Sequence, residues 1–304
     1  MARSYRYLHY DVFTDHLFGG NQLAVVLDGR GLSPETMQAI AKEMNFSETT
    51  FVLPPEATGT DVRMRIFTPG EELPMAGHPT IGSTFALART GVIERGRHDF
   101  VFGCGIGPVP VTMTWNGDDL SFVWMTQPLP TFGGLIPDPA RTAAALSLSP
   151  AAVAGTGLPV QVVSCGVPFL FVPLTTRSAV DSAAVNRGAL DALSSELTMP
   201  AHGVMVFTAQ PGDPRATVYS RMFAPDRGIV EDPATGGASG PLGCYLVRHK
   251  VVPPEKADAM IRLQGVKMGR PSHVHMSVGV RNGDITSVRV GGESVLAGEG
   301  TLYV

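Results

Sequence analysis

Residues 65–83 read RIFTPGEELPMAGHPTIGS, and residues 221–240 read RMFAPDRGIVEDPATGGASG. Arg65-Ile66-Phe67-Thr68-Pro69 and Arg221-Met222-Phe223-Ala224-Pro225 stand 156 positions apart in a chain of 304 residues. Each copy passes through an acidic stretch into a Thr-, Gly- and Ser-rich turn, then into a mostly apolar run. One short match of this kind arises easily by chance. The order of elements around both copies matches as well, which points to a duplicated α/β unit.

Working outward from the first copy, Tyr5–Phe13 is an extended, aromatic-rich run, Gly19-Gly20-Asn21 is a turn, and Leu23–Leu27 suits a buried strand. Ser33-Pro34-Glu35 predicts a helix to about Glu43, with Ser33 as N-cap and Pro34 at its first position. Strands are expected at Phe51–Leu53 and Val62–Phe67. Thr80–Arg89 is small or apolar all round, the pattern of a helix enclosed by other structure. Further strands are expected around Phe100–Phe102, Val109–Trp115 and Leu120–Met125, and the Pro- and Gly-rich stretch Pro128–Pro139 is a candidate linker. The second half repeats the order: strands at Gln161–Ser164, Phe169–Val172 and Val204–Thr208, a helix near Ala183–Leu193, and an enclosed apolar segment, Pro241–Arg248. Strands return at His273–Val280 and Ile285–Val290.

The composition narrows the function. Hydrophobic residues make up 44% and charged residues 16%, so an ordered core is expected rather than disorder. A net charge of −4 with no long run of one sign argues against a nucleic-acid surface, which needs a dense basic footprint. No apolar stretch has the length of a membrane span, and the start lacks a signal-peptide pattern. Three widely spaced cysteines with no CxxC pair suit a reduced compartment. A cytoplasmic protein is the expectation.

In each copy a strand ends, a Gly/Thr loop turns, and a helix begins. A helix N-terminus presents unpaired N–H groups and partial positive charge, so it attracts carboxylates or phosphates. Thr235-Gly236-Gly237-Ala238-Ser239-Gly240 is no P-loop, because no Gly-Lys-Ser/Thr follows. By itself each turn is equally well a structural one. Glu48, in Asn45-Phe46-Ser47-Glu48-Thr49-Thr50-Phe51, lies between a helix and an apolar strand. A carboxylate that leaves water there becomes a proton acceptor and donor near neutrality; the plain alternative is a solvated or helix-capping acid. His78 is either a hydrogen-bond donor to an anion or a structural histidine. Asp232, before the second turn, is either its functional counterpart or an ordinary helix-start acid.

Taken together and in order, several stretches carry a resemblance. They are Phe18-Gly19-Gly20-Asn21-Gln22-Leu23-Ala24-Val25, Ser47-Glu48-Thr49-Thr50-Phe51, Gly77-His78-Pro79-Thr80, Glu231-Asp232-Pro233-Ala234-Thr235-Gly236, Gly240-Pro241-Leu242-Gly243, and Gln264-Gly265 with Met268-Gly269-Arg270-Pro271-Ser272. The chain resembles the PhzF-like isomerases of phenazine biosynthesis, with the diaminopimelate-epimerase fold, over nearly its whole length. The resemblance implies an α/β (α+β) protein of two pseudo-symmetric halves, each a barrel-like mixed sheet around a central helix. The expected division is residues 1–127, with the strand at 293–304 as a candidate to complete it, and residues 128–292, with the active site in the cleft between them.

By the same resemblance Glu48 is the general acid/base, with His78 and Asp232 supporting it. Asn21 and the backbone at Gly77, Thr235, Gly236 and Gly237 would hold a small anionic carboxylate substrate. No cofactor, metal or nucleotide is called for, and the family's habit of forming dimers makes a homodimer an option. The racemases of this fold use a Cys in each half, whereas both turns here lack one. Cys104, Cys165 and Cys244 are expected as buried thiols outside the motifs. A single carboxylate suits an isomerase that lifts a proton and returns it elsewhere on the same molecule, moving a double bond. Gly237 departs from the family's usual Ser. Rival readings are a metabolite- or partner-binding protein of the same fold, a lyase or dehydratase starting from the same proton abstraction, and a metal enzyme using His273 and His275.

Overall fold

The computed structural model describes residues 3–304, apart from the side chain of Arg227. Met1 and Ala2, where the first expected half begins, lie outside the described residues. The fold is mixed α/β and divides into two compact units, one of residues up to 126 together with 291–304, the other of 127–290.

The first unit runs β1 (Ser4–Val12), β2 (Asn21–Val26), α1 (Pro34–Met44), β3 (Glu48–Leu53), β4 (Val62–Phe67), β5 (Glu72–Leu73), α2 (Gly77–Arg89), β6 (Asp99–Cys104), β7 (Gly107–Asn116) and β8 (Asp119–Gln127). The second runs β9 (Thr131–Ile136), α3 (Pro139–Ala145), α4 (Pro150–Ala154), β10 (Val160–Ser164), β11 (Pro168–Pro173), α5 (Arg177–Ser182), α6 (Arg187–Ser194), β12 (Val204–Thr208), β13 (Val218–Ala224), β14 (Ile229–Asp232), α7 (Gly236–Arg248), β15 (Met260–Gln264), β16 (Ser272–Arg281) and β17 (Asp284–Gly292). β18 (Ser294–Tyr303) returns to the first unit, antiparallel to β1.

The duplication is explicit in the strand pairings. In the first unit β1–β2 is antiparallel, β2–β3 parallel, β3–β4 antiparallel, β4–β6 parallel and β6–β7 antiparallel. In the second unit β10–β11, β11–β12, β12–β13, β13–β15 and β15–β16 follow the same sequence of directions. β18 flanks β1 as β9 flanks β10, both antiparallel.

Each unit is organised around its apolar helix. α2 packs on β1, β2 and β3, and α7 on β10, β11 and β16. The residues Gly77–Leu87 of α2 are all buried, so its core contact has no polar face to spare. At Gly82 a Cβ would stand 2.6 Å from both Leu23 Cδ2 and Val12 Cγ2, so glycine lets the helix sit against β1 and β2. Around α7, Leu242, Tyr245 and Leu246 pack with Phe171, Phe207 and Met276 in one apolar cluster.

Local signals explain the boundaries. Ser33 Oγ accepts the Thr36 N–H at 3.2 Å at the start of α1, and Asn45 closes it in the left-handed conformation at φ 52°. The Pro128–Pro139 stretch is not a plain linker. Residues 131–136 form β9, because β10 offers an open edge and Gln161 Nε2 adds a bond to the Gly133 carbonyl at 2.8 Å. The single helix expected near Ala183–Leu193 is instead α5 and α6. Thr176 caps the first and Asn186 the second, whose Oδ1 accepts the Ala189 N–H, and that extended cap residue prevents one continuous helix. The short helices α3 and α4, begun by Asp138-Pro139 and Ser149-Pro150, were not anticipated.

Candidate active site

In the first unit three elements begin at one place. Asn21 opens β2, Glu48 opens β3, and His78 is the second residue of α2. The parallel register sets Glu48 opposite Leu23, two residues after Asn21. Thr50, on the same face of β3 as Glu48, meets Ser83 of α2 through their hydroxyls at 3.0 Å, so this face looks toward the helix.

All three polar side chains are buried. His78 Nε2 stands 3.2 Å from Glu48 Oε2, a distance of hydrogen-bond length without the alignment of one. On the other side of the ring, Asn21 Nδ2 is 3.3 Å from His78 Nδ1. Which of the two ring nitrogens donates and which accepts is set by the tautomer. Burial pushes the His78 pKa down to about 3, against a smaller pull upward from a backbone hydrogen bond at Gln22. Burial therefore favours the neutral imidazole, so that His78 brings no positive charge to Glu48.

In the second unit Asp232 ends β14 and is likewise buried. Thr235 Oγ1 donates to Asp232 Oδ2 at 2.6 Å, and the Thr235 N–H donates to Gln264 Oε1 at 3.3 Å. The Thr235 N–H is thus already engaged within the protein. Gly236 and Gly237, in the first turn of α7, have no helical carbonyl one turn before them. Neither α2 nor α7 has a side-chain cap: Ala76 lacks one, and the Thr235 hydroxyl is turned to Asp232. Both N-termini keep the character of anion sites.

A Cβ built at Gly237 would lie 3.8 Å from the Phe169 ring, an ordinary contact. The missing side chain there is not imposed by crowding. The structure also brings in Arg262 and Gln264 of β15, both wholly buried beneath the Asp232–Thr235 turn. Gln264 stood inside a recognised stretch, but its role could not be read at a distance of almost thirty positions from Thr235.

The remaining candidates fall elsewhere. His273 and His275 alternate along β16; His273 Nε2 lies 3.3 Å from Arg215 Nη2 and 3.7 Å from Asp213 Oδ2. Among the described residues no group of three or more His, Cys, Asp or Glu is placed to hold a metal ion. Cys165 and Cys244 are buried with sulfurs 3.9 Å apart, and the neighbouring thiol, together with burial, pushes Cys165 upward. Cys104 departs from expectation: it is only partly buried, at the end of β6, although burial still raises its pKa to about 12. No helix among the described residues is long and apolar enough to cross a membrane.

Comparison with known proteins adds to this geometry. The family model described as phenazine biosynthesis-like protein matches residues 10–300. The trans-2,3-dihydro-3-hydroxyanthranilate isomerase of Pseudomonas aeruginosa is 35% identical over 300 residues, covering 99% of this chain and 100% of that protein. A PhzF-family phenazine biosynthesis protein of Bacillus anthracis superposes with a TM-score of 0.87 at 27% identity, over 99% of this chain and 100% of the other. A hydroxyproline epimerase of Agrobacterium vitis, at 14% identity and a TM-score of 0.71 over 99% of this chain and 93% of its own, shares the fold alone.

Proposed function

Because the chain belongs to the phenazine biosynthesis-like, PhzF-like family of isomerases, we propose that it is a cofactor-independent isomerase of a small carboxylate, with Glu48 as its general acid/base. The observation that carries this reading is the Glu48–His78 contact of 3.2 Å, buried and backed by Asn21. In the proposed reaction the Glu48 carboxylate takes a proton from a carbon made acidic by a conjugated carboxylate or enamine. The electrons move into the adjacent bond, the double bond migrates, and Glu48 returns the proton to a different carbon of the same molecule. Proton and electron counts balance within the substrate, so no external acid, oxidant or reductant enters.

Neutral His78, in contact with Glu48, orients the carboxylate before the first transfer; between the two transfers Glu48 holds the proton and the negative charge is spread over the substrate. The N–H groups at the start of α2, near Gly77, are proposed to hold the substrate carboxylate, and Asp232 and Thr235, with the backbone at Gly236 and Gly237, are proposed as the substrate-binding residues of the second unit. The absence of Cys from both turns favours one-base proton transfer over two-thiol racemisation.

The test incubates wild type and Glu48→Gln in D2O with trans-2,3-dihydro-3-hydroxyanthranilate, the substrate named for the Pseudomonas relative, and with a panel of small unsaturated carboxylates. An isomer of unchanged composition, formed by wild type and slowed about 10²–10⁴-fold in Glu48→Gln, is the expected result. Loss of water from the substrate makes the protein a lyase instead. Turnover that survives Glu48→Gln removes Glu48 from the chemistry, and no turnover on any substrate favours a binding protein.

A further inference from the structure

The turn that carries Asp232 is held by two residues remote in sequence. Arg262 and Gln264 are two positions apart on β15, so the pleat sets them on one face, and both are wholly buried. Gln264 Nε2 donates to the main-chain oxygen of Asp232 at 2.6 Å and to Thr235 Oγ1 at 3.1 Å, while its Oε1 accepts the Thr235 N–H at 3.3 Å. A carbonyl only accepts and a peptide N–H only donates, so this amide has one workable orientation. The Thr235 hydroxyl, accepting from Gln264, directs its own proton to Asp232 Oδ2 at 2.6 Å.

Arg262 holds the same turn from beneath. Its Nη2 donates to the Thr235 carbonyl at 3.0 Å and its Nη1 to Met205 Sδ at 3.1 Å. Burial lowers its pKa to about 9, and the charge of Asp232 works in the opposite direction. A buried guanidinium is costly to keep, and a carbonyl and a thioether sulfur are weak compensation for lost water. The nearby charged pair, Arg221 with Glu231, is tied to itself at 2.8 Å.

We propose that Gln264 and Arg262 are positioning residues of the site: Gln264 fixes the Thr235 hydroxyl proton toward Asp232, and Arg262 supplies the buried positive charge that acts on the Asp232 carboxylate. The place of Asp232 in catalysis rests on the isomerase reading, but this arrangement is a property of the free protein and is tested there.

In ¹³C/¹⁵N-labelled protein, the Asp232 carboxyl signal is titrated in wild type, Arg262→Met and Arg262→Lys, and amide exchange at Thr235 is compared between wild type and Gln264→Leu. Gln264→Leu is expected to speed exchange at Thr235 about tenfold, the equivalent of one lost hydrogen bond, with Leu242 inside α7 unchanged. Arg262→Met is expected to move the Asp232 midpoint upward by about one pH unit, the low end of what an adjacent opposite charge does, and Arg262→Lys to restore most of it. An unmoved Asp232 midpoint overturns the role of Arg262, and unchanged exchange at Thr235 overturns that of Gln264. If Arg262→Met does not fold, Arg262→Gln, which keeps an N–H donor for the Thr235 carbonyl without the charge, takes its place, and an unmoved midpoint there also overturns the electrostatic part. None of these readouts requires turnover, so the isomerase reading can fail without them and they can fail without it.

Discussion

Arg221 grips Glu231 through two parallel hydrogen bonds, Nε to Oε1 at 2.9 Å and Nη2 to Oε2 at 2.8 Å, and lies over the Phe223 ring at 4.8 Å. Arg65 repeats this with Glu72, at 2.7 and 2.5 Å, over Phe67 at 5.0 Å. The recurring Arg-x-Phe is therefore a clasp. The arginine closes its strand onto the short strand that follows, β4 onto β5 and β13 onto β14. What the chain says twice is an instruction for the fold, and the central helix of each unit, α2 or α7, begins just beyond each clasp.

The two clasps differ in solvent exposure, and their mutants should differ accordingly. The side chains of Arg221 and Glu231 are 10% and 14% exposed, and Arg221 Nη1 also binds the carbonyls of Val180, Asp181 and Ala183. Arg221→Ala should cost about 3–5 kcal/mol, as expected when a buried pair loses one member. Glu72 is 41% exposed, so Arg65→Ala should cost about 1 kcal/mol. Urea unfolding of the two variants measures both, and equal losses would contradict the distinction.

Glycine substitutions separate packing from function. Gly82→Ala drives a methyl into Leu23 and Val12, and overpacking of about 1–3 kcal/mol should outweigh the gain of about 1 kcal/mol in helix propensity. Gly237→Ala and Gly237→Ser meet only the Phe169 ring edge and should leave the melting temperature within a few degrees. A change in substrate preference at Gly237 without loss of stability would mark that position as a determinant of specificity.

The elements that were readable in the sequence are those whose local signal agreed with their surroundings. α1 announced itself with Ser33-Pro34, and α2 and α7 with small and apolar residues on every side. β9 was not readable, because Phe132-Gly133-Gly134 has turn-like composition and becomes a strand only through its partner β10. Glu48, His78 and Asp232 were each ambiguous singly, and only their order along the chain singled them out. Burial and the contact between Glu48 and His78 belong to the tertiary structure. The same holds for Arg262 and Gln264, whose partners Thr235 and Asp232 lie on another element.

Acid should destabilise the protein partly through His78. Its unfolded value is 6.5 and its folded value about 3, so between those values the unfolded chain binds a proton that the folded chain refuses. Stability therefore rises with pH across this window. The penalty is absent above pH 6.5, grows as pH falls at up to about 1.4 kcal/mol per unit, and is complete below the folded value. Urea unfolding of wild type and His78→Gln at several pH values between 7 and 4 should give a shallower pH dependence for the variant. Parallel curves would show that His78 takes no part in acid unfolding.

The pairing of β18 with β1 sets a timetable. Ser4 faces Tyr303, whereas β10 finds its flanking strand β9 close by in sequence. During synthesis the second half can finish its sheet as it emerges, but the first half, although made first, keeps one edge of β1 unsealed until β18 has left the ribosome. At about 5–20 residues per second that interval is on the order of tens of seconds. Through that time the nascent chain carries an open strand edge, the kind of surface that recruits neighbouring chains. The older half of the molecule by birth is the younger by completion.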